Sequence, residues 1–175
     1  MVANKSEGIR LQEHLENADA VQRYLAQQMG DSFNVASSSL ISNLYSASLL
    51  VRHDIEKEIL AQEKLSWTAM LMMYTLYVWG ESETKMIAKR LKLAPSSVTS
   101  LTNTLEKKGL VVRVYKPTDR RLVLVKLTTV GIKLLQTLSK EVNQREQALV
   151  SSLTPDEIFT LNSLLKKLLH NVNTQ

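Results

Sequence analysis

The sequence predicts a mainly α-helical fold carrying one small β-hairpin. Apolar residues recur at spacings of three and four through most of the 175 residues, the signature of amphipathic helices. Only five Gly and three Pro interrupt the chain, too few for a many-turned β-sandwich. In one stretch, Leu110 to Leu127, the period shortens to about 2 around a single polar turn.

Residues 9 to 29 place Leu11, Leu15, Ala18, Val21, Leu25 and Met29 on one helical face, and Gly30 ends it. The polar, serine-rich stretch Asp31 to Ser39 reads as a linker. Leu40, Leu44, Ala47, Val51, Ile55 and Ile59 then mark one long helix. Ser66 is placed to cap a helix from Trp67 to about Trp79, apolar nearly all round and so expected to be buried. Gly80 and Ser82 stop it, and a short helix restarts near Thr84 with Met86, Ile87, Ala88 and Leu91.

Leu93 to Ser97 is a tight turn into a further helix, with Pro95 at the first helical position, where its missing N–H costs nothing. Val98, Leu101 and Leu105 face inward, and Gly109 supplies the left-handed residue that ends the helix. Leu110 to Tyr115 and Leu122 to Leu127 are strands flanking the turn Lys116 to Asp119. Thr128 or Thr129 opens a long helix with Ile132, Leu135, Leu138, Val142 and Leu149 on one side. Thr154-Pro155-Asp156-Glu157 is a capping box for a last, leucine-rich helix carrying Ile158, Leu161, Leu164, Leu165, Leu168 and Leu169. A stripe of that kind at a chain end requires a covering surface, and the same element of a second copy is the simplest one.

Composition narrows the function. No apolar run approaches the roughly 20 residues needed to span a bilayer. The first residues lack a secretory apolar core, so the expected location is cytoplasmic and the membrane is not a partner. Cysteine is absent, which removes disulfides, thiolate metal sites and thiol nucleophiles. Charge is unevenly spread: residues 81 to 135 hold twelve Lys and Arg against four acids, and the remainder holds ten against thirteen. A basic centre between mildly acidic ends is the footprint of a phosphate-binding module.

A short helix, a turn and a second helix with a polar outer face form a helix-turn-helix. Ser96, Ser97, Thr99, Ser100, Asn103 and Thr104 make up that face. Small hydrogen-bonding side chains of this type let a helix enter the roughly 12 Å major groove. Taken alone, such a face also fits an ordinary solvated helix. The adjoining hairpin favours DNA, since Arg113, Lys116, Arg120 and Arg121 make it basic and Arg suits a narrow minor groove. The expected architecture is thus a winged helix-turn-helix with terminal dimerisation helices. An N-terminal helical arm and linker fill 1–37, dimerisation helices 38–62 and 129–175, and the DNA-binding region 63–128.

The run from Leu93 to Thr99, Leu105-Glu106-Lys107-Lys108-Gly109-Leu110-Val111, Asp119-Arg120-Arg121 and Leu127-Thr128-Thr129-Val130-Gly131 resembles the MarR family of bacterial regulators over about residues 38 to 170. The resemblance implies that Arg121 enters the minor groove and that Asp119 braces it. It also implies a triangular homodimer on a near-palindromic DNA site, released by a small aromatic or phenolic acid. Ala94 departs from the usual capping residue, and Ser100 and Thr104 stand where an arginine is common, which shifts readout towards the wing.

For the effector, a pocket needs apolar walls and a few polar groups, and Tyr45, Arg52, His53, Trp67 and Met70 could supply both. His14, His53 and His170 lie on different helices without metal-ligand spacing, so neither metal nor cofactor is expected. No nucleophile elbow, glycine-rich phosphate loop or acid pair marks an enzyme. The function expected is a ligand-responsive repressor; the alternative is a winged helix for non-specific nucleic-acid packaging or protein contact.

Overall fold

The computed structural model describes residues 21–30, 33–116 and 119–174. The chain divides into two compact units, Met1–His53 and Asp54–Gln175. In the first, residues 21–29 are helical (α1) and Gly30 closes them at φ +64°. The part of the expected first helix before residue 21 lies outside the described residues.

The linker read at Asp31 to Ser39 is shorter than its composition indicated. Helix α2 (Val35–Ile55) already contains the serines, because Asn34 caps it: its Oδ1 accepts from the Ser37 amide at 2.9 Å. The long helix is also not uniform. Beyond Ile55 it widens into a π-helical turn, Glu56–Leu60. That turn aims Ile55, Ile59 and Leu60 into one core, where a regular α-helix would carry one of them outward.

The second unit is built on this core. Helix α3 (Trp67–Trp79) begins at Ser66, whose Oγ accepts from the Ala69 amide at 3.1 Å, and Glu56 Oε1 accepts from the Trp67 amide at 2.7 Å. Ala69, Met70, Met72, Met73 and Leu76 are buried. The expectation that α3 is buried all round fails at its end. Tyr77, Val78 and Trp79 are exposed, and the Arg90 guanidinium lies 4.7 Å from the centre of the Trp79 ring.

Strand β1 (Ser82–Glu83), α4 (Thr84–Leu91), α5 (Pro95–Lys107), β2 (Val111–Lys116), β3 (Asp119–Leu127), α6 (Thr129–Leu149) and α7 (Pro155–Thr174) follow. The sheet is antiparallel in the order β1-β3-β2, with Ser82 opposite Val125 and Val111 opposite Leu127. A strand of two residues has no periodicity to read, so β1 was invisible in the sequence. Leu135, Leu138 and Val142 of α6 complete the core, and Tyr74 donates to Ser139 at 2.8 Å. Thr154 and Glu157 form the expected capping box at α7, with the Glu157 carboxylate accepting from the Thr154 amide at 2.8 Å. Among its described residues α7 buries none.

Candidate nucleic-acid interface

The turn between α4 and α5 is made by Lys92, Leu93 and Ala94. Lys92 takes the left-handed conformation at φ 52°, and the Leu93 amide donates back to the Ala88 carbonyl at 3.0 Å. Helix α5 buries Val98, Thr102 and Leu105. The Thr102 hydroxyl is satisfied inside by donating to the Val98 carbonyl at 2.7 Å. At spacings of three and four those residues take one side. Ser96, Ser97, Thr99, Ser100, Asn103 and Thr104 are all left exposed on the other.

That outer face is chemically mixed. Thr99 donates to the Pro95 carbonyl and Thr104 to the Ser100 carbonyl, each at 3.0 Å. Their single protons are spent on the helix, so outward they offer lone pairs and a methyl group. The hydroxyls of Ser96, Ser97 and Ser100 have no partner among the described residues and can donate. Ala94 gives no side-chain cap at the helix start. Pro95 has no N–H and the Ser97 amide donates to the Ala94 carbonyl at 3.0 Å, so in the first turn it is the Ser96 amide that keeps its donor among the described residues.

The helix end is locked to the sheet. The Gly109 amide donates to Glu106 and the Leu110 amide to Leu105, each at 2.9 Å, with Gly109 at φ 68°. Thr128 then ties back: its amide donates to the Leu110 carbonyl at 3.0 Å and its hydroxyl to the Gly109 carbonyl at 2.7 Å. The same Thr128 Oγ1 accepts from the Gly131 amide at 3.0 Å, capping α6. The Leu-Thr-x-x-Gly run is therefore the hinge-pin that fixes the hairpin against α5.

In the hairpin, Arg113 is half-buried and already engaged. It pairs with the Glu106 carboxylate, and its Nη2 donates to Asn103 Oδ1 at 2.7 Å. Glu106 stood in the sequence as an acid of the basic stretch and a member of the Leu105-to-Val111 run, with no partner assigned; its spacing of seven residues from Arg113, across a helix end, carries no recognised pattern. Opposite Arg113 the ladder is regular as far as Tyr115 and Val123, and then Lys116 pairs with Asp119. Arg120, Arg121 and Leu122 thus stand on β3 without counterparts on β2, a bulge. The side chains of Lys116, Asp119, Arg120 and Arg121 lie outside the described residues, as do Pro117 and Thr118.

The residues expected at an effector site fall in both units. Tyr45, Arg52 and His53 are exposed on α2, Trp67 is half-buried at the start of α3, and Met70 is completely buried in the core of the second unit. No group of three or more His, Cys, Asp and Glu suited to a metal occurs among the described residues. None of the described helices is long and apolar enough to cross a membrane.

Comparison with known proteins agrees with this geometry. The profile of the MarR family matches residues 65–123. The helix-turn-helix-type transcriptional regulator YwaE of Bacillus subtilis is 35% identical over 150 residues, spanning 86% of this chain and 88% of YwaE. A mutant MarR from E. coli, solved with operator DNA, superposes with a TM-score of 0.63 at 29% identity, covering 74% of this chain and 95% of that one. The organohalide-sensing regulator RdhR, solved with 2,4-dichlorophenol, shares the fold with a TM-score of 0.69 at 23% identity over 75% of this chain and 78% of its own. The sequence relatives, the helix-turn-helix and the hairpin agree: this chain belongs to the MarR family of winged-helix transcriptional regulators.

Proposed function

We propose that the chain acts as a homodimeric, sequence-specific DNA-binding repressor that a small aromatic or phenolic acid releases from its operator. The observation that carries this reading is the outer face of α5, six exposed hydroxyl and amide side chains beside a basic hairpin. A helix lined in this way enters the major groove, and the Ser96 amide at its start suits a backbone phosphate. Ser96 and Ser97 supply phosphate donors, and Thr99, Ser100, Asn103 and Thr104 reach base edges. The hairpin follows the backbone with Lys116 and Arg120, while Arg121, steadied by Asp119, enters the adjacent minor groove. That a related MarR is solved on operator DNA supports this placement.

The apolar surface of α7 supports a pairing of two copies, since Phe159, Leu161, Leu164, Leu169 and Val172 are exposed on the single chain. A two-fold pair places the two α5 helices about one DNA turn, roughly 34 Å, apart on a near-palindromic site. For the effector, Tyr45 and Arg52 stand seven residues, two turns, apart on α2 and offer a ring and a guanidinium to an anionic aromatic acid. His53 follows Arg52 on the same helix, and Trp67, in the second unit, is a separate candidate. Met70 drops out because its side chain has no surface to give a ligand.

Binding to the intergenic DNA upstream of its own gene, measured with and without benzoate-type acids, tests the reading. A regulator shows specific affinity about 10³-fold or more above random DNA. Equal affinity for every sequence would instead mean packaging, and no response to any acid would remove the effector.

A further inference from the structure

Resting on the placement of α5 in the major groove, we propose that Asn103 is a one-sided reader of DNA. With one lone pair of its Oδ1 taken by Arg113, and Arg113 held by Glu106, its carboxamide turns its hydrogen-bond donors towards the groove. The orientation is forced. A guanidinium carries five N–H donors and no acceptor, so the atom 2.7 Å from Arg113 Nη2 has to be the carbonyl oxygen. Among the described residues nothing accepts from Asn103 Nδ2, and the residue is exposed. Pinning the oxygen against the hairpin leaves the nitrogen, at the other end of the group, as the atom facing the DNA.

The consequence is chemical. An unrestrained Asn reads adenine with both ends, accepting from N6 and donating to N7. Here the accepting end is taken by a charged donor, whose hydrogens would also repel an incoming adenine amino group. The bond that remains is a donation to adenine or guanine N7, guanine O6 or thymine O4, so adenine keeps one of its two contacts, and cytosine presents a donor that Nδ2 repels. Glu106 and Arg113 are positioning residues: they touch no base and act by fixing which end of Asn103 faces outward.

Competition binding across every single-base substitution of the operator tests this. The wild type is expected to disfavour cytosine by roughly tenfold at one position per half-site, the scale of a single mismatch. Asn103→Ala should flatten preference at that position alone. Arg113→Met should raise adenine there relative to guanine and thymine, and Arg113→Lys, still able to donate to Oδ1, should keep the wild-type order. Glu106→Gln, which loosens the clamp while leaving the guanidinium, should move in the direction of Arg113→Met, and melting curves verify that each variant is folded. Uniform weakening by Asn103→Ala at all sequences would mean a phosphate contact and overturn the proposal. An unaltered base order in both clamp variants would overturn it as well. Those failures leave the regulator intact, whereas a wild type without any sequence preference overturns both readings.

Discussion

Arg113 Nη2 donates to Asn103 Oδ1 over 2.7 Å, joining the first strand of the hairpin to the outward face of α5. Together with the Arg113–Glu106 ion pair it adds to the anchor at the hairpin's base, made by Thr128 and the carbonyls of Gly109 and Leu110. Two attachments on one short sheet make helix and wing a single body. A shift of one on DNA then moves the other.

Arg113 and Arg121 are therefore expected to behave differently on DNA. Arg113 is neutralised by Glu106, so it brings little net attraction to phosphates. Arg121→Ala should weaken binding by about 1–3 kcal/mol, mainly at A·T-rich flanking positions. Replacing Arg113 by Met together with Glu106 by Gln, which removes the pair at no change of net charge, should leave the salt dependence of binding close to that of the wild type, since no released counterion belongs to the pair. Salt titrations of Arg121→Ala and of this double variant check this, and a salt slope that falls by about one for the double variant would show Arg113 on a phosphate.

Gly131 admits no side chain. A Cβ there would collide with the Leu110 carbonyl, which is fixed by the Thr128 amide and cannot give way without breaking that bond. Gly131→Ala should destabilise the fold by about 1–3 kcal/mol, the usual effect of overpacking a tight site. Chemical denaturation measures it. Because the same carbonyl sets the hairpin's base, DNA affinity should fall even at temperatures where the variant stays folded.

The start of α7 should respond to acid. Glu157 is held below the ordinary glutamate range by the bond from the Thr154 amide and then by the Thr154 hydroxyl, with a small opposing effect of burial. A carboxylate lowered in the folded state stabilises fully above its unfolded pKa, and the contribution disappears as pH falls through the folded value. Helicity followed by circular dichroism should show this loss in the acid range below the ordinary glutamate value. Glu157→Gln should abolish that part of the pH dependence while lowering helicity slightly at neutral pH.

What could be read from the chain was whatever local rules decide. Ser66, Gly109, Thr128 and the Thr154–Glu157 box announced their helix ends because caps act within about four residues. The outer face of α5 followed from the spacing of Val98 and Leu105. Features set by distant partners stayed hidden. The π-helical turn after Ile55 exists to present Ile55, Ile59 and Leu60 to one core. Strand β1 exists only because β3 is there to pair with it. Arg113 read as one more cation for DNA, since nothing local reveals that Glu106 and Asn103 close on it.

The apolar side of α7 yields the sharpest test of assembly. Among the described residues of this helix none is buried, although Ile158, Leu161, Leu164, Leu168 and Leu169 recur at helical spacing. Leaving such a stripe in water forfeits about 25 cal/mol for each Å² that a partner would cover. Leu164 is 56% exposed on the single chain, so a charge there costs the isolated fold little. In a two-fold interface the same charge is buried twice, once from each copy, with no partner, and the penalty doubles. Leu164→Glu should therefore melt near the wild-type temperature at low concentration yet sediment as a monomer at micromolar concentration. Its DNA affinity should fall far more than its stability, because a monomer grips one half-site only. A variant that remains dimeric in analytical ultracentrifugation would exclude this surface of α7 from the interface.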